Sequence, residues 1–243
     1  MRVKLTVEYD GTAYFGWQLQ AEHDSIQGRL ESALGRIFNT PIRVHGSGRT
    51  DAGVHACGQV ASADLPRDFP IDELKRALNA LLPPDIAIVS VERARDGFDP
   101  RRDARSRIYQ YRVLNRESRS AFEHRYAWLV RDPVDIDAMQ RAARVFLGEH
   151  DFAAFRTLGS EQKTSVRRVV ESIWRREGEV LIYRVEATGF LRHMVRTMVA
   201  AMIEAGKGRL APNDIERILS SRDRASAPAP APAAGLFLME VRY

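Results

Sequence analysis

Residues 3–9 read VKLTVEY and alternate strictly between apolar and polar side chains. The apolar residues at positions 3, 5, 7 and 9 share one face of an extended chain, which predicts a half-buried β-strand. A helix is predicted to follow, with a capping-box-like start at Asp24 and Gln27. Its apolar stripe consists of Ile26, Leu30, Leu34 and Ile37. The chain therefore begins with a predicted strand followed by an amphipathic helix, and further strands and helices are predicted after them.

The first half of the chain continues with two strands and a second helix. A short strand is predicted near residues 42–44, and the glycine-rich loop GSGRTDAG follows it at residues 46–53. The next helix carries leucines at positions 74, 78, 81 and 82 and is predicted to end at Pro83-Pro84, because proline lacks an amide hydrogen. The stretch IAIVSVERA, which begins at Ile86, predicts a buried strand.

The second half repeats this succession of strands and helices. RIYQYRVL at residues 107–114 predicts a strand, and VVESIWRREGEVLIYRVEA predicts a hairpin that turns near Gly178. Helices are predicted around residues 136–147, from Phe190 to Glu204, and after Pro212. The chain is therefore predicted to be α+β, with two similar halves.

Three irregular or terminal segments complete this prediction. The basic stretch GFDPRRDARSR joins the two halves near residues 97–106. The segment SAPAPAPAAG at residues 226–235 is expected to be extended, of polyproline type. GLFLMEVRY at the terminus predicts a closing strand.

Composition points to a polyanionic partner. The formal net charge is +5, and 33 of the 37 basic residues are arginines. Arginine binds phosphate through two hydrogen bonds and stacks on bases, although a GC-rich codon bias would also raise its share. No apolar run approaches the roughly 20 residues of a membrane span, and the chain begins with strand-like residues. We therefore expect a soluble, cytoplasmic protein without a signal peptide.

Cysteine and histidine usage argues against a metal site. Cys57 is the single cysteine, so an internal disulfide is impossible and a cysteine zinc site is excluded. The six histidines show no tight pairing of the kind that metal ligands need. We expect no metal.

The loop at residues 46–53 carries the candidate chemistry. It matches neither a P-loop nor the dinucleotide fingerprint, so no nucleotide cofactor is expected, and no G-x-S-x-G elbow occurs in the chain. What remains is one carboxylate, Asp51, beside Arg49 and Thr50. A carboxylate can act as a nucleophile or base without a metal. The alternative is a structural turn in which Asp51 caps backbone amides.

The chain resembles the tRNA pseudouridine synthase A family from end to end. The resemblance rests on motifs in a fixed order along the sequence: YDGTAYFGWQLQ with SIQGRLESAL downstream, GRTDAGVHACGQV, RIYQYRV, GEHDFAAFR, GFLRHMVRTMV and GLFLMEVRY. It departs from the family at Ser47 and Ala200, where alanine and glycine, respectively, are more usual. Neither position carries chemistry, so the departures concern packing only.

The resemblance implies a fold and an assembly. It implies two ferredoxin-like subdomains, residues 1–104 with the aspartate loop and residues 105–243, that form a continuous antiparallel sheet with a central basic catalytic cleft. It also implies a homodimer that binds tRNA and uses no cofactor.

The resemblance further implies the isomerisation of uridine to pseudouridine at nucleotides 38, 39 and 40 of the tRNA anticodon stem-loop. Asp51 matches the catalytic aspartate, which could attack C1′, add to C6 of the base, or act through a glycal. Arg49 matches an arginine that displaces the flipped base, and Tyr109 matches a tyrosine that stacks on the target uracil. Arg196 matches an arginine paired with the aspartate. Taken alone, Tyr109 would more often be a core residue of a sheet, and the alternative for Arg196 is a surface arginine whose aliphatic part is buried.

The remaining arginines are candidates for RNA contact. The basic junction supplies four of them, Arg101, Arg102, Arg105 and Arg107. Arg192 is a fifth candidate, with a solvated surface role as the alternative. A duplex stem is contacted through phosphates and 2′-hydroxyls, which fits recognition by shape.

Two rival functions remain open from the sequence. A non-catalytic RNA-binding module would bind tRNA without turnover. A nucleoside hydrolase would release free uracil without making pseudouridine.

Overall fold

The computed structural model describes residues 1–157 and 164–243, which fall into two units. The first unit consists of Met1–Arg105 together with Phe237–Tyr243, and the second of Ser106–Leu236. The division at residues 104 and 105 suggested by the sequence stays a prediction. Unlike the domains proposed there, the first unit is discontinuous, because the terminal strand belongs to it.

The first unit contains five strands and two helices. Its strands are β1 (Arg2–Tyr9), β2 (Val44–Gly46), β3 (His55–Asp64), β4 (Ile86–Arg93) and β10 (Leu236–Arg242). Its helices are α1 (Ile26–Phe38) and α2 (Ile71–Leu81). Strand β1 lies between β3 and β4 and is antiparallel to both, and β2 pairs antiparallel with β3. This β-α-β-β-α-β unit with the order β4-β1-β3-β2 is the ferredoxin-like arrangement.

The alternation in residues 3–9 has the predicted effect. Val3, Leu5 and Val7 are fully buried and Tyr9 is 2% exposed, whereas none of the polar residues between them is buried. A shift of one residue would turn all four apolar side chains towards the other face, so burial fixes the register of the central strand. The predicted half-buried strand is confirmed.

Two details of the first unit differ from the sequence prediction. Helix α1 is capped by Ser25, whose Oγ accepts a hydrogen bond from the Gly28 amide, and Asp24 instead pairs with Arg29. Strand β4 buries only one face, since Val89 is 46% exposed, although its apolar sequence predicted a strand that is buried throughout. An edge strand needs one apolar face only, which a short apolar run does not reveal.

In its described residues, 106–157 and 164–236, the second unit has five strands and three helices. The strands are β5 (Ser106–Asn115), β6 (Trp128–Val130), β7 (Gly148–Asp151), β8 (Val166–Glu177) and β9 (Val180–Ala187). The helices are α3 (Ile136–Arg144), α4 (Met194–Gly206) and α5 (Pro212–Ser221). The order β5-β9-β8-β7 is antiparallel throughout, and β6 pairs parallel with β5. The α+β prediction is confirmed in each unit.

The hairpin and the long helix of the second unit were predicted with unequal accuracy. Strands β8 and β9 turn at Gly178, which has a φ of +62° that suits glycine. Helix α4 begins at Met194 and not at the predicted Phe190, because His193 adopts a φ of +64° at its N-cap. The helix is almost entirely buried, including Ala200.

The proline-alanine segment is anchored inside the second unit. Short 3-10 turns at Arg224–Ser226 and Ala233–Gly235 include both ends of the predicted segment. Its irregular part is therefore residues 227–232, which is shorter than predicted. Tyr111 donates its hydroxyl hydrogen to the Pro232 carbonyl at 2.7 Å. Within residues 1–157 and 164–243, no helix has the length and apolarity to cross a membrane.

A chain of hydrogen bonds joins two strands and a helix in the core of the second unit. Ser172 Oγ lies 2.8 Å from the Ala143 carbonyl and 2.7 Å from the Tyr183 hydroxyl. A carbonyl only accepts, so the serine donates to Ala143 and Tyr183 donates to the serine. Both side chains are buried.

We predict that Ser172→Ala lowers the free energy of unfolding by about 1–3 kcal/mol, because the buried Tyr183 hydroxyl loses its acceptor. Urea denaturation measures the change. The double variant Ser172→Ala/Tyr183→Phe should lose less than the sum of the two single variants. The exposed Ser118→Ala is the control and should stay within about 0.5 kcal/mol. A Ser172→Ala variant as stable as this control would contradict the prediction.

Candidate active site

The loop that carries Asp51 connects β2 to β3 and is held by a segment distant in sequence. The Trp17 amide donates to the Thr50 carbonyl at 3.1 Å, and the Gly53 amide donates to the Tyr14 carbonyl at 3.2 Å. These two hydrogen bonds lie on either side of Asp51. The backbone of the candidate catalytic residue is therefore fixed from both directions.

The contact between the two segments is close enough to require glycine. Gly16 has a φ of +88°, and a Cβ atom there would lie 2.4 Å from the Thr50 carbonyl oxygen. A Cβ on Gly46 would lie 2.5 Å from the Trp17 ring. Side chains at either position would push the loop away from its support, since real Cβ atoms do not approach so closely.

Buried polar side chains support the loop from below. Ser47 donates to Gln59 Oε1 at 2.6 Å, and Gln59 Nε2 donates to the Gly48 carbonyl at 3.0 Å. The Thr50 hydroxyl lies 2.9 Å from the hydroxyl of Tyr9. Burial raises the pKa of Tyr9 to about 12, so this pair is uncharged at neutral pH. Ser47, one of the two departures from the resemblance, therefore contributes a hydrogen bond to this support.

The side chains of the loop are presented in three different ways. Thr50 is buried, Asp51 is half-buried and Arg49 is exposed. The Asp51 carbonyl closes a turn by accepting from the Val54 amide at 3.1 Å. The loop therefore places a half-buried aspartate two residues after an exposed arginine.

His55 follows the loop and is a structural residue. Its Nδ1 accepts a hydrogen bond from the Gly11 amide at 3.1 Å, and its ring stacks on Phe237 with centroids 4.6 Å apart. Asp10 Oδ1 also lies 3.1 Å from Nδ1. With 1% exposure, His55 helps to anchor the start of β3.

Tyr109 lies on β5, where it pairs with Val185 of β9. Its ring makes an edge-to-face contact with Phe190, with centroids 5.0 Å apart and planes at 81°. Both rings are half-buried, in contrast to the fully buried Tyr111 two residues later. Tyr109 is thus partly accessible, as a base-stacking residue needs to be.

Arg196 lies in the first turns of α4 and is half-buried. Its Nε donates to the Ala231 carbonyl at 2.7 Å, and the Ala231 amide donates back to the Arg196 carbonyl at 3.1 Å. This fixes the direction of the side chain. Asp51 belongs to the first unit and Arg196 to the second, so their pairing stays a prediction.

The candidate RNA-contact arginines lie in both units. Arg101, Arg102 and Arg105 are exposed in the first unit, where Asp99 accepts hydrogen bonds from the amides of Arg101 and Arg102. Arg107 is half-buried in the second unit and donates to the Thr188 carbonyl at 3.2 Å.

Arg192 is exposed and precedes α4. The helix predicted from Phe190 would include Arg192, but α4 begins at Met194. Its backbone carbonyl accepts from the Thr157 amide at 3.2 Å.

Several residues that shape the site escaped the sequence reasoning. The contacts of Tyr9 with Thr50 and of Gln59 with the loop join positions about 10 to 40 residues apart, so local patterns carry no signal for them. Phe190 follows a glycine inside a recognised motif, which could have identified it. The part of the chain that the structure describes contains no group of three or more potential metal ligands.

Comparison with known proteins identifies the family. The family model described as tRNA pseudouridine synthase matches residues 5–101 and 142–243. The tRNA pseudouridine synthase A of Myxococcus xanthus is 44% identical over 243 residues, which cover 100% of this chain and 92% of that protein. The proteins of the same name from Pelobacter propionicus and Geobacter sulfurreducens are each 44% identical over 241 residues, which cover 99% of both chains. The chain belongs to the tRNA pseudouridine synthase family.

Proposed function

We propose that the chain isomerises uridine to pseudouridine at nucleotides 38, 39 and 40 of the tRNA anticodon stem-loop, with Asp51 as its catalytic carboxylate. Family membership supports the reaction and the substrate class. The observation that carries the residue assignment is the anchoring of the Asp51 loop, through Trp17 on one side and Gly53 on the other. Precise placement of a reacting group is a large part of what an active site supplies.

The reaction needs little beyond one carboxylate. The N1–C1′ bond breaks, the uracil turns within the site, and a C5–C1′ bond forms. The C5 proton is lost and N1 gains a proton, so the reaction is redox-neutral and uses no external cofactor. Asp51 starts the reaction by attacking C1′, by adding to C6, or by removing a sugar proton to give a glycal.

Base flipping brings the target nucleotide to this carboxylate. The glycosidic carbon of a stacked nucleotide is out of reach, and unstacking costs a few kcal/mol. Arg49 is exposed two residues before Asp51, where its guanidinium can take the place of the displaced base in the stack. Phosphate contacts elsewhere offset the cost of unstacking.

Two residues of the second unit, Tyr109 and Arg196, have proposed roles in the same reaction. The half-buried ring of Tyr109 would stack on the target uracil and accept the C5 proton late in the reaction. The guanidinium of Arg196, oriented through Ala231, would pair with the Asp51 carboxylate. The remaining candidate arginines would contact the RNA backbone. They are the half-buried Arg107 and the exposed Arg101, Arg102, Arg105 and Arg192. We propose that the enzyme works in the cytoplasm as a homodimer.

We predict that Asp51→Asn binds tRNA with nearly unchanged affinity but loses turnover by roughly 10⁴-fold or more, as expected for a lost nucleophile or base. Pseudouridine mapping at nucleotides 38, 39 and 40 measures turnover, and filter binding measures affinity. Asp72→Asn, an exposed carboxylate on α2, is the matched control and should retain full activity.

The same assay separates the rival functions. Substantial pseudouridine from Asp51→Asn would remove Asp51 from the mechanism. Free uracil without pseudouridine from the unaltered protein would identify a hydrolase, and binding without any product would identify a binding module.

Tyr109 is predicted to have two separable roles. Tyr109→Phe keeps the ring, so it should bind the stem-loop normally and release the C5 hydrogen roughly 10²- to 10⁴-fold more slowly. Tyr109→Leu should in addition weaken binding, because stacking is lost. Tritium release from tRNA labelled at uridine C5 measures the first effect. Release at the normal rate from Tyr109→Phe would exclude the hydroxyl as the proton acceptor.

Arg196 is predicted to act on turnover more than on binding. Arg196→Met, which removes the charge at similar length, should lower kcat roughly 10- to 10³-fold, the scale of a lost charge interaction in a transition state. Arg196→Lys should recover part of this loss. Arg217→Met, on the exposed face of α5, is the control. A kcat for Arg196→Met within twofold of the control would refute the role of this cation.

A further inference from the structure

We propose that the stacked pair Phe15–His23, the aromatic platform of this protein, binds one unpaired nucleobase of the tRNA anticodon loop. The inference rests on the proposed function and assigns a second RNA contact beside the Asp51 loop. Its occupant is a base and not a phosphate.

The platform is an exposed aromatic stack. The rings of Phe15 and His23 lie 4.0 Å apart with planes at 9°, which is a parallel stacking geometry. Phe15 is 52% exposed, and His23 is also exposed. Aromatic side chains left accessible in this way are the usual binding surface for unstacked bases of RNA.

The segment that carries the platform is closed upon itself. The Phe15 amide donates to the Asp24 carbonyl at 3.0 Å, and the Ile26 amide donates to the Gly16 carbonyl at 3.3 Å. Gln20 adds a side-chain hydrogen bond to the Phe15 carbonyl at 3.3 Å. These hydrogen bonds close the loop that carries the two rings. The loop is therefore already ordered before RNA binds, which reduces the entropy lost on binding.

The platform lies next to the Asp51 loop within the same unit. The residues on either side of Phe15 contact that loop directly: the Tyr14 carbonyl accepts from Gly53, and a Cβ built on Gly16 would lie 3.0 Å from the Asp51 carbonyl carbon. A nucleotide flipped towards Asp51 has its neighbours within a few ångströms. An unpaired neighbour can thus reach Phe15 while the target occupies the site.

The chemistry of the platform favours a base as its occupant. Every base presents a π-face to an aromatic ring, which a phosphate does not. Glu22 and Asp24 flank His23 in sequence, and Asp24 is paired with Arg29 through Nε at 2.8 Å. Leu19 of the same segment is 39% exposed.

The test is a thermodynamic cycle that combines protein variants with abasic RNAs and compares their binding affinities. Synthetic anticodon stem-loops carry an abasic residue at each unpaired loop position in turn, and their affinities are measured by fluorescence anisotropy. All proteins carry Asp51→Asn to prevent turnover. We expect one abasic position to weaken binding roughly 5- to 100-fold in this background and to have no further effect when Phe15→Ala is added.

Conservative variants separate stacking from packing. Phe15→Tyr should retain the sensitivity to that abasic position, and Phe15→Leu should lose it, although both preserve an apolar group. Val89→Ala, an exposed apolar position on β4, is the control and should retain the sensitivity in full. If the losses from Phe15→Ala and from the abasic residue multiply independently at every position, the platform does not bind a base and the inference is overturned.

The outcome is distinguishable from failure of the proposed function. Turnover by Asp51→Asn would remove that residue from catalysis and leave the binding cycle interpretable. Normal binding of the stem-loop with independent losses would overturn the platform alone. Absence of any binding to the stem-loop would overturn both.

Discussion

The close approach of Gly16 to Thr50 is the constraint on which the candidate site depends. Two segments more than 30 residues apart meet there, and the pair of hydrogen bonds from Trp17 and Gly53 holds Asp51 between them. A side chain at residue 16 would meet the Thr50 carbonyl and would also be strained by the positive φ. Fixing a short loop at both ends removes most of its backbone freedom before substrate binds. The loop backbone loses its conformational entropy on folding, so this entropy is not lost again when the transition state forms.

The polar groups beneath the loop explain how it remains in place at the edge of an apolar core. Tyr9 ends the buried face of β1, and its hydroxyl meets Thr50 where that face reaches the loop. Gln59, which is fully buried, contacts Ser47 and the Gly48 carbonyl. A buried polar group without a partner would cost about 1–3 kcal/mol, so these mutual contacts make the burial tolerable. They also specify a single loop conformation, because any other would leave several of these groups unpaired.

Sequence patterns predicted the elements that depend on local periodicity and missed what depends on distant contacts. The alternation at residues 3–9 and the hairpin at Gly178 were predicted correctly, since both follow from neighbouring residues. The N-cap of α1 was placed at Asp24 and lies at Ser25, because both residue types cap helices and only tertiary contacts choose between them. The parallel pairing of Phe237 with His55 joins the terminal strand to β3, which is distant in sequence, and no local pattern predicts it. The loop motif singled out Asp51, but nothing in the motif shows what holds it.

The two tyrosines of β5 illustrate how one face of a sheet passes from core to candidate site. Tyr109 and Tyr111 share that face by alternation, so the sequence pattern alone treats them alike. The segment around Pro232 covers Tyr111 and accepts its hydroxyl hydrogen, and Gly235 packs so closely that a Cβ there would lie 2.7 Å from the Tyr111 ring. Burial accordingly raises the pKa of Tyr111 far above its ordinary value. Tyr109 meets Phe190 instead and stays half-buried. The course of the proline-alanine segment therefore determines which aromatic ring is sealed into the core and which remains accessible to a substrate, and the proposed stacking role of Tyr109 follows from this difference in cover.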